Sequence, residues 1–253
     1  MFDLRLIAAD VLKLRRRRGM LSITLLLTLG VMALAYVVTV IQHAGNPAEY
    51  GPAGGLQTYK DDIGFVGVMA LIVGAIVGAT AGTQDLESGV FRDLAATGRS
   101  RTALFASRVA GAWVVVLPIV GLTAALTGVA SIALAGSLDA PGAGDVIVGT
   151  VGALTAGALG TAMAVGLSTL VASRGPVIGI LLAFYLAVSP LLMGMGFLGN
   201  ARQAIPEVAL ARIGDLPPAG DVHTALVTAL VVVIAWAAAA LGLGAWRTNT
   251  REI

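Results

Sequence analysis

The sequence predicts an all-α, polytopic membrane protein, and three observations predict it. Hydrophobic residues make up 57% of the chain and charged residues only 12%, with a mean hydropathy of +0.91. A water-facing surface needs far more charge than this, and lipid does not. Six apolar stretches stand out, near 20–42, 62–82, 103–134, 146–172, 177–198 and 223–246. Each is close to or beyond the roughly 20 residues that cross a ~30 Å hydrocarbon core. In lipid the backbone amides must bond to one another, so such runs become helices. The third observation is the placement of basic residues. With the N-terminus in the cytoplasm, only Lys60, Arg202 and Arg212 of the 16 basic residues fall outside. Arg5, Lys13, Arg15, Arg16, Arg17, Arg18, Arg92, Arg99, Arg101, Arg108, Arg174, Arg247 and Arg251 fall inside. That asymmetry predicts six spans with both termini cytoplasmic, whereas five would put Arg247 and Arg251 on the wrong side. The whole chain, 1–253, reads as a single transmembrane domain.

The N-terminal segment, 1–18, reads as an interfacial helix. Leu4, Ile7, Val11 and Leu14 share one face, and Arg5 and Lys13 lie away from it. Arg15, Arg16, Arg17 and Arg18 would sit beside anionic headgroups. The apolar run that follows exceeds a signal-peptide core and is not closed by an A-x-A site, so it reads as a retained anchor. In the second span Gly74, Gly78 and Gly82 recur every fourth residue. In the fourth, Gly149, Ala153 and Gly157 do the same, with Gly152, Ala156 and Gly160 beside them. Such spacing lets helix backbones approach closely and points to a compact bundle, not to a substrate. Pro118 and Pro190 lie inside spans and predict kinks. Between the last two spans, Ile205 to Ile213 is a short apolar stretch among prolines. It suits a small re-entrant or interfacial helix, or a plain external loop.

Little in the sequence suits an enzyme. The two histidines, His43 and His223, sit at external ends of spans, and neither H-E-x-x-H nor G-x-S-x-G occurs. The two lysines, Lys13 and Lys60, do not follow glycine, so no P-loop is present. Without cysteine the chain offers neither thiolate ligands nor a thiol nucleophile. No catalytic or metal-binding residues are expected, and the basic residues read as topology signals and not as a nucleic-acid surface. By the boundaries above, the span cores lack carboxylates, and Asp62, Asp85 and Asp145 lie at their ends. That leaves Ser, Thr, Tyr36, Tyr185, Trp113 and backbone carbonyls, which suit a hydrophobic or amphipathic cargo better than an ion. Such residues also serve as packing. Substrate-contact residues cannot be assigned.

The most charged internal stretch, DLESGVFRDLAATGRSRTALFASRV from Asp85 to Val109, falls on the cytoplasmic side. At ~100° per residue Leu86, Val90, Phe91 and Leu94 share a face, with Ser88, Arg92 and Asp93 opposite. This predicts a short amphipathic helix ending near Gly98. Glu87 interrupts its apolar face and wants a partner. Arg99, Arg101 and Arg108 are the nearby candidates, so Glu87 is expected to tie this helix to the base of the third span.

The run E-S-G-V-F-R-x-L-x-x-T-G-x-S-R, behind an interfacial basic helix and within a six-span layout, resembles ABC-2 type transporter permeases. Glu87, Gly89, Leu94, Ser100 and Arg101 match that family's first cytoplasmic loop. Ala245, Trp246 and Arg247 before a short basic tail are also similar. Gly98 stands where many members have proline. The resemblance implies the permease subunit of an ATP-driven exporter of a drug, lipid or peptide in the cytoplasmic (inner) membrane. Such permeases pair with a second copy or a paralogue and recruit a separate ATP-binding subunit. This chain would bind no cofactor itself, and ATP and Mg would sit on that partner. Residues 85–98 would form the coupling helix, with Asp85, Glu87, Ser88, Gly89, Arg92, Arg99 and Arg101 against the ATPase. Residues 1–18 would be the connector helix. A secondary carrier, or a membrane anchor of a complex without an ATPase, is the alternative.

Overall fold

The computed structural model describes residues 4–87, 89, 100–218 and 221–250. They form helices and connecting turns, with no strand among them. Helix α1 spans Leu4–Arg16. Six helices are long and apolar enough to cross a membrane: α2 (Arg18–Gly45), α3 (Leu56–Glu87), α4 (Arg101–Ala133), α5 (Ala143–Val171), α6 (Arg174–Gly194) and α8 (Leu226–Thr250). Between the last two lies α7, Pro206–Ile213. Every stretch predicted from hydropathy is a helix, usually longer than its apolar run. α3 begins at Leu56 because polar residues extend it outward, where Gln57 Nε2 donates to Asp61 Oδ1 at 3.2 Å.

The centre of the bundle is the α3–α5 pair, and the small-residue rows of the sequence meet there. A Cβ added to Gly74 would lie 2.8 Å from Thr161 N, and one on Gly78 would lie 2.7 Å from Thr161 O. One on Gly160 would lie 2.7 Å from Leu71 O. The two helices therefore touch backbone to backbone. Leu71, Val73, Val77, Val116, Val120 and Val165 are buried around them. Gly166 brings α8 against α5 in the same way, since its Cβ would meet Ala240 O. α2 and α8 lie at the edge and present Leu34, Ile41, Val227 and Ile234 outward.

Two spans widen into a π turn. In α2 it covers Leu26–Gly30, where the hydroxyls of Thr24, just before the turn, and Thr28, within it, donate to the carbonyls four residues back. In α6 it covers Phe184–Val188, next to Pro190, which removes a backbone donor from the ladder. Pro118, in contrast, lies within the continuous helix α4. The stretch from Ile205 to Ile213 is not a plain loop. α7 starts with proline and buries Val208, Ala209, Leu210 and Ile213 against its neighbours. A Cβ on Gly152 would come within 2.6 Å of Gly214 Cα, so this short helix is packed hard onto α5.

Candidate functional site

Both described chain ends lie at one end of the bundle, where α3 finishes and α4 starts. There, α1 packs on α4. Gly111 allows it, because a Cβ at that position would sit 2.9 Å from Asp10 Cβ. The face of α1 that turns inward carries Asp10 and Leu14, both buried, while Leu4 is exposed. A charged chain runs through this contact. Ser107 Oγ donates to Asp10 Oδ2 at 2.7 Å. Lys13 Nζ donates to Asp10 Oδ1 at 3.1 Å and to Asp85 Oδ1 at 3.0 Å. Arg108 Nη2 donates to Asp85 Oδ2 at 3.2 Å. Arg108 and Asp85 side chains are only 3% and 8% exposed, so this pair is desolvated and its charges depend on each other. Burial works against the charge on Lys13, but its bonds to Asp85 and Asp10 outweigh that and hold the ammonium above the usual lysine value.

The described residues that flank the segment between α3 and α4 are tied to other helices. Glu87 Oε1 accepts from the Arg174 N–H at 2.9 Å, at the first turn of α6, where a carboxylate complements the free amides. The preceding Ala172 holds a left-handed φ of 55° that turns the chain from α5 into α6. Ser100 caps α4 by accepting from Ala103 N at 3.2 Å. Arg101 Nη1 donates to Asn249 O at 3.1 Å and so covers a carbonyl at the end of α8.

Of the residues singled out in the sequence, Asp85, Glu87 and Arg101 are thus placed at this end, and exposed Gly89 has a φ of +73°. Ser88, Arg92 and Arg99 lie outside the described residues, as does most of the expected 85–98 helix. Asp85 and Glu87 themselves belong to α3. The expected tie of Glu87 to the third span is corrected. Arg108 reaches Asp85, two residues earlier, and Glu87 bonds to the start of the fifth span. Lys13, expected to point away from the packed face, turns into it because two aspartates wait there. Arg15, Arg16 and Arg18 are exposed and Arg17 is half-buried, where the chain breaks between α1 and α2. Asp10 was missed. Its signal was legible, since it falls on the stripe of Ile7 and Leu14.

At the opposite end, a cavity of about 330 Å³ opens between α3, α5, α6 and α7. Ile63, Val68, Leu71, Ala156 and Leu186 make its walls apolar. Gly67 also lines it, with nothing within 4 Å of where a Cβ would stand. Tyr185 reaches the wall, but its hydroxyl is engaged with Met163 Sδ at 3.4 Å. Glu207, in the first turn of α7, brings a carboxyl to the same wall. Oε2 accepts from Ser189 Oγ at 2.5 Å. Oε1 is buried and has no partner among the described residues. Burial pushes this carboxyl above the usual glutamate value, and the Ser189 bond and the residue's own backbone N–H only partly offset it. The interior therefore does hold a carboxyl, delivered from between the spans. The other polar groups named from sequence are used internally. Tyr36 Oη pairs with Ser131 Oγ at 2.7 Å, and Trp113 Nε1 donates to Ala158 O at 3.0 Å.

No protein-family model matches the chain, and no curated protein sequence matches it.

Proposed function

We propose that this chain is the permease subunit of an ATP-driven ABC exporter, moving a hydrophobic or amphipathic substrate such as a drug, lipid or peptide. ATP hydrolysis takes place on a separate subunit, and a second copy or a paralogue completes the pathway in the cytoplasmic membrane. The reading rests on the loop that resembles ABC-2 permeases. The observation that best supports it is the set of ties on either side of that loop. Asp85 and Glu87 at its start, and Ser100 and Arg101 at its end, engage α1, α4, α6 and α8. A push on residues 88–99 is thereby delivered to four other helices at once. Closure of an ATPase pair against the loop then shifts the spans between two arrangements. Arg15, Arg16 and Arg18 remain exposed for lipid headgroups or for the same partner.

Co-purification tests this reading. Protein solubilised from its native membrane should bring an ATP-binding-cassette subunit with it, and the Glu87→Ala/Arg92→Ala variant should lose it. A folded wild type that brings no ATPase removes the proposal. A second reading, a secondary carrier, gains from Glu207, because a carrier needs a titratable group beside its cavity. Uptake by proteoliposomes under a pH gradient, without nucleotide, would favour it.

A further inference from the structure

The α3–α5–α6–α7 cavity has the attributes of a binding site for a small molecule, and among the described residues that line it Glu207 Oε1 is a buried side-chain atom without a partner, which states what that molecule must supply. The volume falls in the roughly 300–1,000 Å³ range of small-molecule sites. The walls are aliphatic. Tyr185 and Ser189 already spend their hydroxyls on Met163 and Glu207. Glu207 Oε1 is an acceptor cut off from solvent, and leaving a buried acceptor without a donor is unfavourable in free energy. A ligand that donates a hydrogen bond there recovers that energy. One that also carries positive charge recovers more, because the pair forms in a desolvated place.

We propose that this cavity binds a lipophilic amine, its apolar body against α3 and α5 and its ammonium donating to Glu207 Oε1. Binding as such does not depend on what powers transport. Only the role of the cavity as a cargo site rests on the export reading above.

The experiment uses the full chain in lipid nanodiscs, without nucleotide or partner, with empty nanodiscs subtracted. 4-Phenylbutylamine and its neutral counterpart 4-phenylbutan-1-ol are titrated by calorimetry. Wild type should bind the amine saturably and at least tenfold more tightly than the alcohol. Glu207→Gln should erase that preference and keep alcohol binding. Gly67→Leu places a side chain in the cavity without a backbone clash, and should weaken both ligands at least tenfold. The assignment is overturned if wild type binds neither, or binds both alike. It also falls if Glu207→Gln retains the preference, or if Gly67→Leu changes nothing. Loss of the alcohol in Glu207→Gln would mean that the carboxyl holds the cavity open without reading charge, and that too overturns it. Absence of an ATPase in the co-purification would leave these titrations unaffected, so the two proposals fail separately.

Discussion

Asp85 is the residue on which the basic end of the bundle converges, with one cation from α1 and another from α4. Replacing it with asparagine leaves Arg108 buried beside a neutral group. That should cost about 3 kcal/mol, read as a fall of several degrees in the unfolding midpoint of the purified protein. Lys13→Met should cost only about 1 kcal/mol, because the Lys13 side chain is 35% exposed and water screens its pairs. Glu207 gives a pH signature with the opposite sign from an ordinary ion pair. Its folded-state carboxyl keeps its proton to higher pH than the unfolded chain does. Stability of the ligand-free protein should therefore decline as pH rises from the usual glutamate value through the raised one. Glu207→Gln should abolish that slope in a series of unfolding midpoints against pH. These residues were only partly legible. Helical periodicity places Asp10 on the stripe of Ile7 and Leu14, but it does not say that Ser107 and Lys13 meet it there. Lys13 and Asp85 are 72 positions apart, and no local pattern joins them.

Helices were the most legible level, because lipid leaves the backbone so few choices. The glycine rows of α3 and α5 were read as faces for close approach, and they do meet, each on the other. Gly74→Val should thus prevent accumulation of folded protein, since its Cβ would lie 2.8 Å from Thr161 N and 2.9 Å from Gly157 O. Gly67→Ala, in the same helix but facing open space, should be neutral or stabilise by about 0.5–1 kcal/mol. Fluorescence-detected gel filtration separates the two outcomes. The π turns were not legible. Pro190 announces a defect in α6 but not its type, and Leu26–Gly30 contains no proline to mark it. α7 was visible only as one of two readings. Its eight residues are too few for hydropathy to separate a loop from a helix buried among spans, and burial came from the close contact of Gly152 with Gly214.

The arrangement of the whole molecule carries its own test. Residues 16 and 250 lie at one end of the bundle, and Glu49 and Asp139 are exposed at the other. The chain lacks cysteine, so single substitutions there give a clean label. In intact cells an impermeant maleimide should modify Glu49→Cys and Asp139→Cys at once, and Arg16→Cys and Thr250→Cys only after lysis. The reverse pattern would invert the topology read from the basic residues. The α3–α5 contact has a consequence for the cavity beside it. Two backbones in direct contact form a stiff pair, and they make one wall. The facing wall is a helix with a widened turn and a second helix of eight residues. Stiffness is therefore divided unequally around the bound molecule. A bulkier guest should displace α6 at its widened turn while α3, α5 and the end of α7 seated on Gly152 hold their places, so tolerance to girth declines gradually instead of ending at a sharp size limit.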